Sequence, residues 1–190
     1  MSIYEQHILP HIIDCACGTP PVKHLRQKIV PHCFGKVLEI GMGSGLNLPF
    51  YDKEKVEFIW GLEPSIGMRK KAAKNLKNTN IEVRWLDLPS EAIPLESHSV
   101  DCILLTFCLC TIQDTKTALA EMYRVLKPDG KLLFAEHGIS HESNVAKWQN
   151  RITPGWKKIS GDCHLNRPID KIIVEAKFEI VSIKRFYQEN

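Results

Sequence analysis

Three glycines at alternate positions, Gly41, Gly43 and Gly45, follow the apolar pair Val37-Leu38 and the acid Glu39. This is the pattern of a buried strand running into a tight turn. Glycine has no Cβ, so it tolerates positive φ and lets the backbone approach a ligand closely. A helix starting near Leu46 would aim free backbone N–H groups over that turn. Glu39 sets a carboxylate just ahead of the glycines, where it can meet a cation. These residue types suit a nucleotide-like ligand with a positive amine better than a bare phosphate. The order is G-x-G-x-G, unlike the G-x-G-x-x-G of a dinucleotide site or the G-K-[S/T] ending of a P-loop. A second acid, Glu63, stands roughly 20 residues beyond the glycines, where a carboxylate can accept hydrogen bonds from both hydroxyls of a ribose.

Strands that would carry these residues are expected at Lys36–Ile40, Val56–Leu62, Ile81–Leu86, Val100–Leu105, Lys131–Ala135 and Phe178–Tyr187. Helices are expected at Ser2–Ala16 with a kink at Pro10, His24–Val30, Ile66–Leu76 capped by Ser65, and Thr115–Leu126. The last of these should stop at a turn, Lys127-Pro128-Asp129-Gly130. Val100–Leu105 is apolar except at Asp101, as a central strand covered on both faces requires. Strands alternating with helices argue for a parallel, right-handed α/β sheet, whose ligands lie outside the carboxyl ends of the strands. The glycine turn, Glu63, the Asp87–Glu91 loop, Thr106–Cys110 and Glu136-His137 then converge on one crevice. Residues 1–34 read as a helical extension or lid and 35–190 as the ligand-binding domain, with a substrate-side insertion at about 139–168.

A chain of 190 residues with 44% hydrophobic content fits one domain with a filled core. A net charge of +3 is too small to imply nucleic acid, and the basic run Arg69-Lys70-Lys71 with Lys74 and Lys77 reads as a solvated helix face. Seven cysteines, an odd number without a CxxC pair, and no N-terminal signal pattern point to a reduced, cytoplasmic compartment. No apolar run approaches the ~20 residues that span a bilayer. Peripheral contact with a membrane surface and the oligomeric state are left open.

Glu39–Gly45, Glu63-Pro64-Ser65, Glu91-Ala92-Ile93-Pro94, Val100-Asp101 and Glu121–Gly130 together resemble the class I S-adenosylmethionine (SAM)-dependent methyltransferase family, of the methyltransferase type 11-like kind. Glu39–Tyr51, Thr106–Ile112, Glu136-His137-Gly138, Trp148-Gln149, Pro154, Trp156 and Cys163–Pro168 are similar to a bacterial group. That group is itself similar to animal methyltransferase-like proteins that methylate alkyl thiols. The resemblance implies a Rossmann-like sheet, mostly parallel with helices on both faces, and SAM as cofactor. It assigns the methionine part of SAM to Glu39, Gly41, Gly43 and Gly45, with Asn47 also in the cofactor site, and the ribose to Glu63 beside Pro64 and Ser65. Met68 would cover the adenine, Asp87, Leu88, Pro89 and Ser90 would edge it, and Thr106 and Cys108 would complete the cofactor site. Many relatives carry Gly-Asp-Ala ahead of the matched glutamate, whereas Leu88-Pro89-Ser90 precede Glu91 here. Pro89 has neither a side-chain acceptor nor an N–H for the ring. After Gln188-Glu189-Asn190 no residues remain for the last antiparallel strand of the family sheet.

A sulfonium methyl group is already activated, so the enzyme's work is to align an acceptor and exclude water. A base is needed only where the acceptor must lose a proton, and His137 is the candidate. The expected acceptor pocket is Cys110, His137, Trp148, Trp156, Asn166 and Arg167. His137 and His141 with Cys163-His164 are residue types that hold zinc, but no paired-ligand spacing accompanies them, and no metal is expected. The expected function is methyl transfer to a small-molecule acceptor, an alkyl thiol or lipophilic compound. A quinone precursor or phospholipid head group is the alternative acceptor, and a SAM-binding module without turnover is the non-catalytic alternative.

Overall fold

The computed structural model describes residues 8–185. Strands β1 (Gly35–Ile40), β2 (Val56–Leu62), β3 (Val83–Leu86), β4 (Val100–Thr106) and β5 (Leu126–Ala135) form one sheet in the order β3-β2-β1-β4-β5. Every pairing is parallel. Ile40 is in register with Leu62 on one side and Leu105 on the other, so the three central strands end level. The chain winds outward from β1 in one direction and from β4 in the other. Their boundary is the switch point at which open α/β sheets hold ligands.

Alternation within the strands builds two cores. Leu38, Ile40, Ile103 and Leu105 face Leu119 and Met122 of α4 (Thr115–Val125) and Ile173 of α6 (Ile169–Glu175). Val37, Ile59, Cys102 and Leu104 face Val30 and Cys33 with Leu48 and Tyr51. Glu39 shares the parity of Val37 and so enters the second core, where a carboxylate must find partners.

Helix α3 (Ile66–Leu76) starts where Ser65 accepts a hydrogen bond from the Met68 amide at 3.3 Å. Asp114 caps α4 by accepting from the Thr117 amide at 3.0 Å. From α4, Arg124 donates to the carbonyls of Ile93 and Leu95 and pairs with Glu121, pinning the connection between β3 and β4.

Several boundaries differ from expectation. No α-helix follows the glycine turn; a 3-10 turn at Leu48–Phe50 stands there, with Pro49 lacking the N–H that would extend it. Helix α1 is Leu9–Cys17, and Pro10 lies in its first turn, where its missing N–H costs nothing and produces no kink. Residues 2–7 of the expected first helix lie outside the described residues. Helix α2 runs Pro20–Ile29: the Pro20-Pro21 pair starts it instead of separating it from its predecessor. Strand β3 begins at Val83, not Ile81. Strand β5 begins at Leu126, and Lys127–Gly130 bulges within it, since Val100 pairs with Leu126 and Cys102 next pairs with Lys131. The expected strand Phe178–Tyr187 does not form among the described residues; Phe186 and Tyr187 lie outside them. Phe178 instead packs edge-on against Tyr123 of α4, ring centroids 5.4 Å apart. The insertion carries α5 (Ser143–Ile159), followed by α6.

Candidate functional site

Gly41, Gly43 and Gly45 all take left-handed φ, at 64°, 60° and 74°. A Cβ on Gly41 would sit 2.6 Å from that of Cys108, so the turn and the tip of β4 touch. Glu63 reaches back across β2: one carboxylate oxygen accepts from the Gly43 amide at 2.9 Å and the other from the Ser65 amide at 2.8 Å. The turn after β1 and the tip of β2 thus form one ledge. Met68 lies over it, its methyl carbon 3.2 Å from where a Gly43 Cβ would be. Burial pushes the Glu63 carboxyl above its ordinary range, against the pull of the two amides.

Beneath the ledge runs a buried polar chain. Glu39 accepts from the Tyr51 hydroxyl at 2.6 Å and from the Asn47 amide at 2.8 Å. Asn47 also donates to the Thr106 hydroxyl at 2.9 Å. Arg26 of α2 donates to Asn47 Oδ1 at 2.7 Å and to Thr106 Oγ1 at 2.9 Å. Its guanidinium carbon is 5.7 Å from the Phe107 ring centroid. Burial raises the Glu39 carboxyl, with Tyr51, Asn47 and Arg26 opposing.

Among the described residues two buried polar side-chain atoms have no partner, Arg26 Nε and Glu136 Oε2. Arg26 on α2 and Glu136 just past β5 both hold the segment after β4. Arg26 holds Thr106, while Glu136 Oε1 accepts from the amides of Cys108 and Leu109 at 2.8 and 3.0 Å. Between them Phe107 adopts a left-handed φ of 55°, which is uncommon for a side-chain-bearing residue. Burial raises the Glu136 carboxyl despite those amides. Arg26 and Tyr51 are absent from the sequence-derived site, and Glu136 is placed at the crevice without a role. Arg26 had a signal: Val22, Leu25, Ile29 and Val30 mark the apolar face of α2, and Arg26 falls in its middle.

Helix α1 touches the glycine turn, α3 and the loop after α5. Asp14 accepts from the Ser44 hydroxyl of the glycine turn and pairs with Lys71 of α3 at 3.5 Å. Leu9 packs on Gly161, where a Cβ would lie 2.8 Å from it.

Of the residues named from sequence, Asp87, Leu88 and Pro89 of the adenine edge are exposed, as is Pro64 beside the ribose acid. Asp87 lies 3.9 Å from Arg69. Ser90 is buried, with its hydroxyl on Glu91 at 3.2 Å. On the acceptor side, His137 Nε2 lies 3.2 Å from Cys163 Sγ, and with Cys110 Sγ these atoms lie within 4.8 Å of one another. Contact with Cys110 first, then with His137, holds the Cys163 thiol down at about 4. Burial opposes charge on His137, but Cys163 prevails and raises it. Arg167 spends its guanidinium on the carbonyls of Leu109 and Ile112 and on His164. Asn166 turns to Asn150 at 2.8 Å. Trp148 lies on an exposed face of α5 with Ile152 and Ile159, while Trp156, also exposed, reaches the Cys163 thiol. Cys110 and His137 therefore meet, while Trp148 and Asn166 stand apart from them.

A family model described as a methyltransferase domain matches residues 38–134. The chain belongs to the methyltransferase domain family. This methyltransferase-family chain is 33% identical over 153 residues to thiol S-methyltransferase TMT1B of Rattus norvegicus, covering 78% of this chain and 62% of that protein. It is 29% identical over 136 residues to the ubiquinone/menaquinone biosynthesis C-methyltransferase UbiE of Campylobacter jejuni, covering 72% and 48%. It thus spans less than two thirds of either relative's length. Its fold matches that of Haemonchus contortus phosphoethanolamine N-methyltransferase 2, solved with phosphomonomethylethanolamine and S-adenosylhomocysteine. The TM-score is 0.69 at 19% identity, over 90% of this chain and 42% of that one. The five-stranded sheet is the Rossmann-like class I methyltransferase fold.

Proposed function

We propose that the chain is a SAM-dependent methyltransferase acting on a small thiol. The observation that carries the cofactor half is the pair of buried, unpartnered atoms of opposite charge, Arg26 Nε and Glu136 Oε2, whose residues both bond to the segment after β4. Buried charged groups are ordinarily satisfied. SAM carries a carboxylate, an ammonium and a sulfonium. Arg26 would take the carboxylate, with the ammonium against the Glu39 side. Glu136 would face the sulfonium. The ribose hydroxyls would donate to the lone pairs of Glu63 left free by Gly43 and Ser65, and Met68 would cover the adenine. Helix α1, tied to Ser44 and packed on Gly161, would act as the lid of residues 1–34.

In the reaction, the acceptor thiol gives its proton to solvent and its sulfur attacks the methyl carbon in line. An S–C bond forms as the sulfonium S–C bond breaks, releasing a neutral thioether and S-adenosylhomocysteine. His137 is held by Cys163, which argues against it as the free base. The rat relative supports the thiol reading, and the UbiE relative supports a quinone precursor as the second reading. The seven free cysteines support a reducing, cytoplasmic setting. Calorimetric titration of the intact chain with SAM tests the first half, and absence of binding at millimolar ligand rejects it. Labelled SAM offered with alkyl thiols, quinone precursors and aminophospholipids tests the second half; label in the thiol fraction alone is expected.

A further inference from the structure

Cys110, His137 and Cys163 come from three separate segments: the loop after β4, the end of β5 and the loop after α5. Cys110 and Cys163 are buried and His137 is half-buried. Their donor atoms lie within 4.8 Å of one another, with Cys163 Sγ and His137 Nε2 at 3.2 Å. A tetrahedral zinc ion, with bonds of about 2.3 Å to sulfur and about 2.0–2.1 Å to nitrogen, sets its ligands roughly 3.4–3.8 Å apart. Two thiolates and an imidazole are also the donor set that zinc prefers over harder cations.

The loops are fixed to one another. Arg167 donates to the carbonyls of Leu109 and Ile112, on either side of Cys110. The Arg167 carbonyl accepts from Ile139, two residues past His137, at 2.9 Å, and the Cys110 carbonyl accepts from the His164 amide at 2.9 Å. One arginine therefore stitches all three ligand-bearing segments, the preorganisation that a metal site needs. Linear spacing hid this arrangement, because Cys110 completes the set where His141 was the nearer candidate in sequence.

We propose that Cys110, His137 and Cys163 bind one zinc ion, with a fourth position open toward the acceptor side. Among the described residues no fourth cysteine, histidine or carboxylate joins the group, and catalytic zinc sites keep three protein ligands and one open position. The site lies at the carboxyl ends of β4 and β5, beside the segment assigned to SAM. Resting on the thiol reading above, the occupant of that position is the acceptor sulfur. Coordination releases its proton to solvent, and the bound thiolate then forms the S–C bond as the sulfonium S–C bond breaks.

The test uses the full chain purified without chelator. Mass-spectrometric metal analysis should find one zinc per chain. After metal removal, cobalt(II) should give the thiolate charge-transfer absorption and intense visible bands of a tetrahedral centre. Cys163→Ser and His137→Ala should each lower metal affinity by more than the roughly 10–100-fold that loss of a supporting partner causes, while the exposed Cys15→Ser should not change it. Circular dichroism and SAM titration on each variant separate loss of a ligand from loss of fold. A small alkyl thiol should shift the cobalt spectrum without SAM present. A chain that folds and binds SAM but takes neither zinc nor cobalt overturns the metal site, as does a Cys110–Cys163 disulfide in reduced buffer. Metal binding with no spectral response to any thiol overturns the open position. Metal binding without SAM binding leaves the site standing and rejects the cofactor assignment.

Discussion

Arg26 is the residue on which the proposed cofactor contact turns. Its Nη1 is committed to Asn47 and Thr106, and its Nε is buried with no partner among the described residues. A hydrogen bond to a charged group contributes about 1.5–3 kcal/mol, so Arg26→Met should weaken SAM roughly 10–150-fold by calorimetry. An unchanged affinity would remove the carboxylate from Arg26. Glu63 acts differently, because its two oxygens already organise the ledge through Gly43 and Ser65. Glu63→Ala should lower both SAM affinity and melting temperature, whereas Glu63→Gln, which keeps one acceptor, should fall between. Loss of affinity with no loss of melting temperature would contradict the structural half of that role. Glu39 and Glu63 were legible from sequence because each acid stands at a fixed offset from glycines or from a strand end. The role of Glu136, Tyr51 as a partner of Glu39, and Arg26 beyond its place on an apolar helix face were not. What distinguishes them is three-dimensional: a buried charge looks like any other arginine or glutamate until the chain has closed around it.

At the scale of elements, the glycine turn and helix α1 make separate demands. Each turn glycine holds a left-handed backbone that costs an ordinary residue about 1–2 kcal/mol. Gly43→Ala meets little more than that, since its Cβ approaches only the movable end of Met68. Gly41→Ala meets a second cost, because its Cβ would lie 2.6 Å from the Cys108 Cβ. Urea unfolding should therefore rank Gly41→Ala as the more destabilising. Adding Cys108→Gly should recover part of the difference, and adding Cys108→Ala, which keeps the colliding carbon, should recover none. Equal destabilisation of the two glycine variants would disprove the contact. Helix α1 is held over the turn by Asp14, through Ser44 and Lys71. Asp14→Ala should speed SAM dissociation in stopped flow with little change in melting temperature; an unaltered off-rate would deny the lid. The five strands of the sheet were readable because apolar runs bounded by turns have few other interpretations, whereas the run expected as a sixth strand from Phe178 spends that ring on Tyr123 of α4. The helix after the glycine turn and the turn at Lys127–Gly130 were misread because proline and glycine there serve a 3-10 turn and a bulge, choices that neighbouring strands impose.

For the whole molecule, the question is how three buried carboxylates shape the pH response. Glu39, Glu63 and Glu136 are all raised, in each case first by burial, and all three converge on the crevice. In the unfolded chain they titrate near about 4.3. Between that value and their raised folded values the folded protein holds more protons than the unfolded one, so stability falls as pH rises through the window. Asp101, paired with Lys127 and the Lys36 amide, is lowered and works oppositely: its contribution is present above the unfolded value and is lost as pH falls through the folded one. A cationic cofactor reverses the first effect, because it needs those carboxylates ionised. The rise in melting temperature produced by saturating SAM should accordingly be greater at about pH 7 than at about pH 5. Taking the difference between melts with and without ligand cancels groups remote from the crevice, Asp101 among them. Glu136→Gln should flatten the dependence if Glu136 faces the sulfonium, and S-adenosylhomocysteine, which lacks that charge, should show a shallower slope than SAM on the unaltered chain. A shift that is equal at both pH values, or larger in acid, would mean that the positive charge of the cofactor does not rest on these acids.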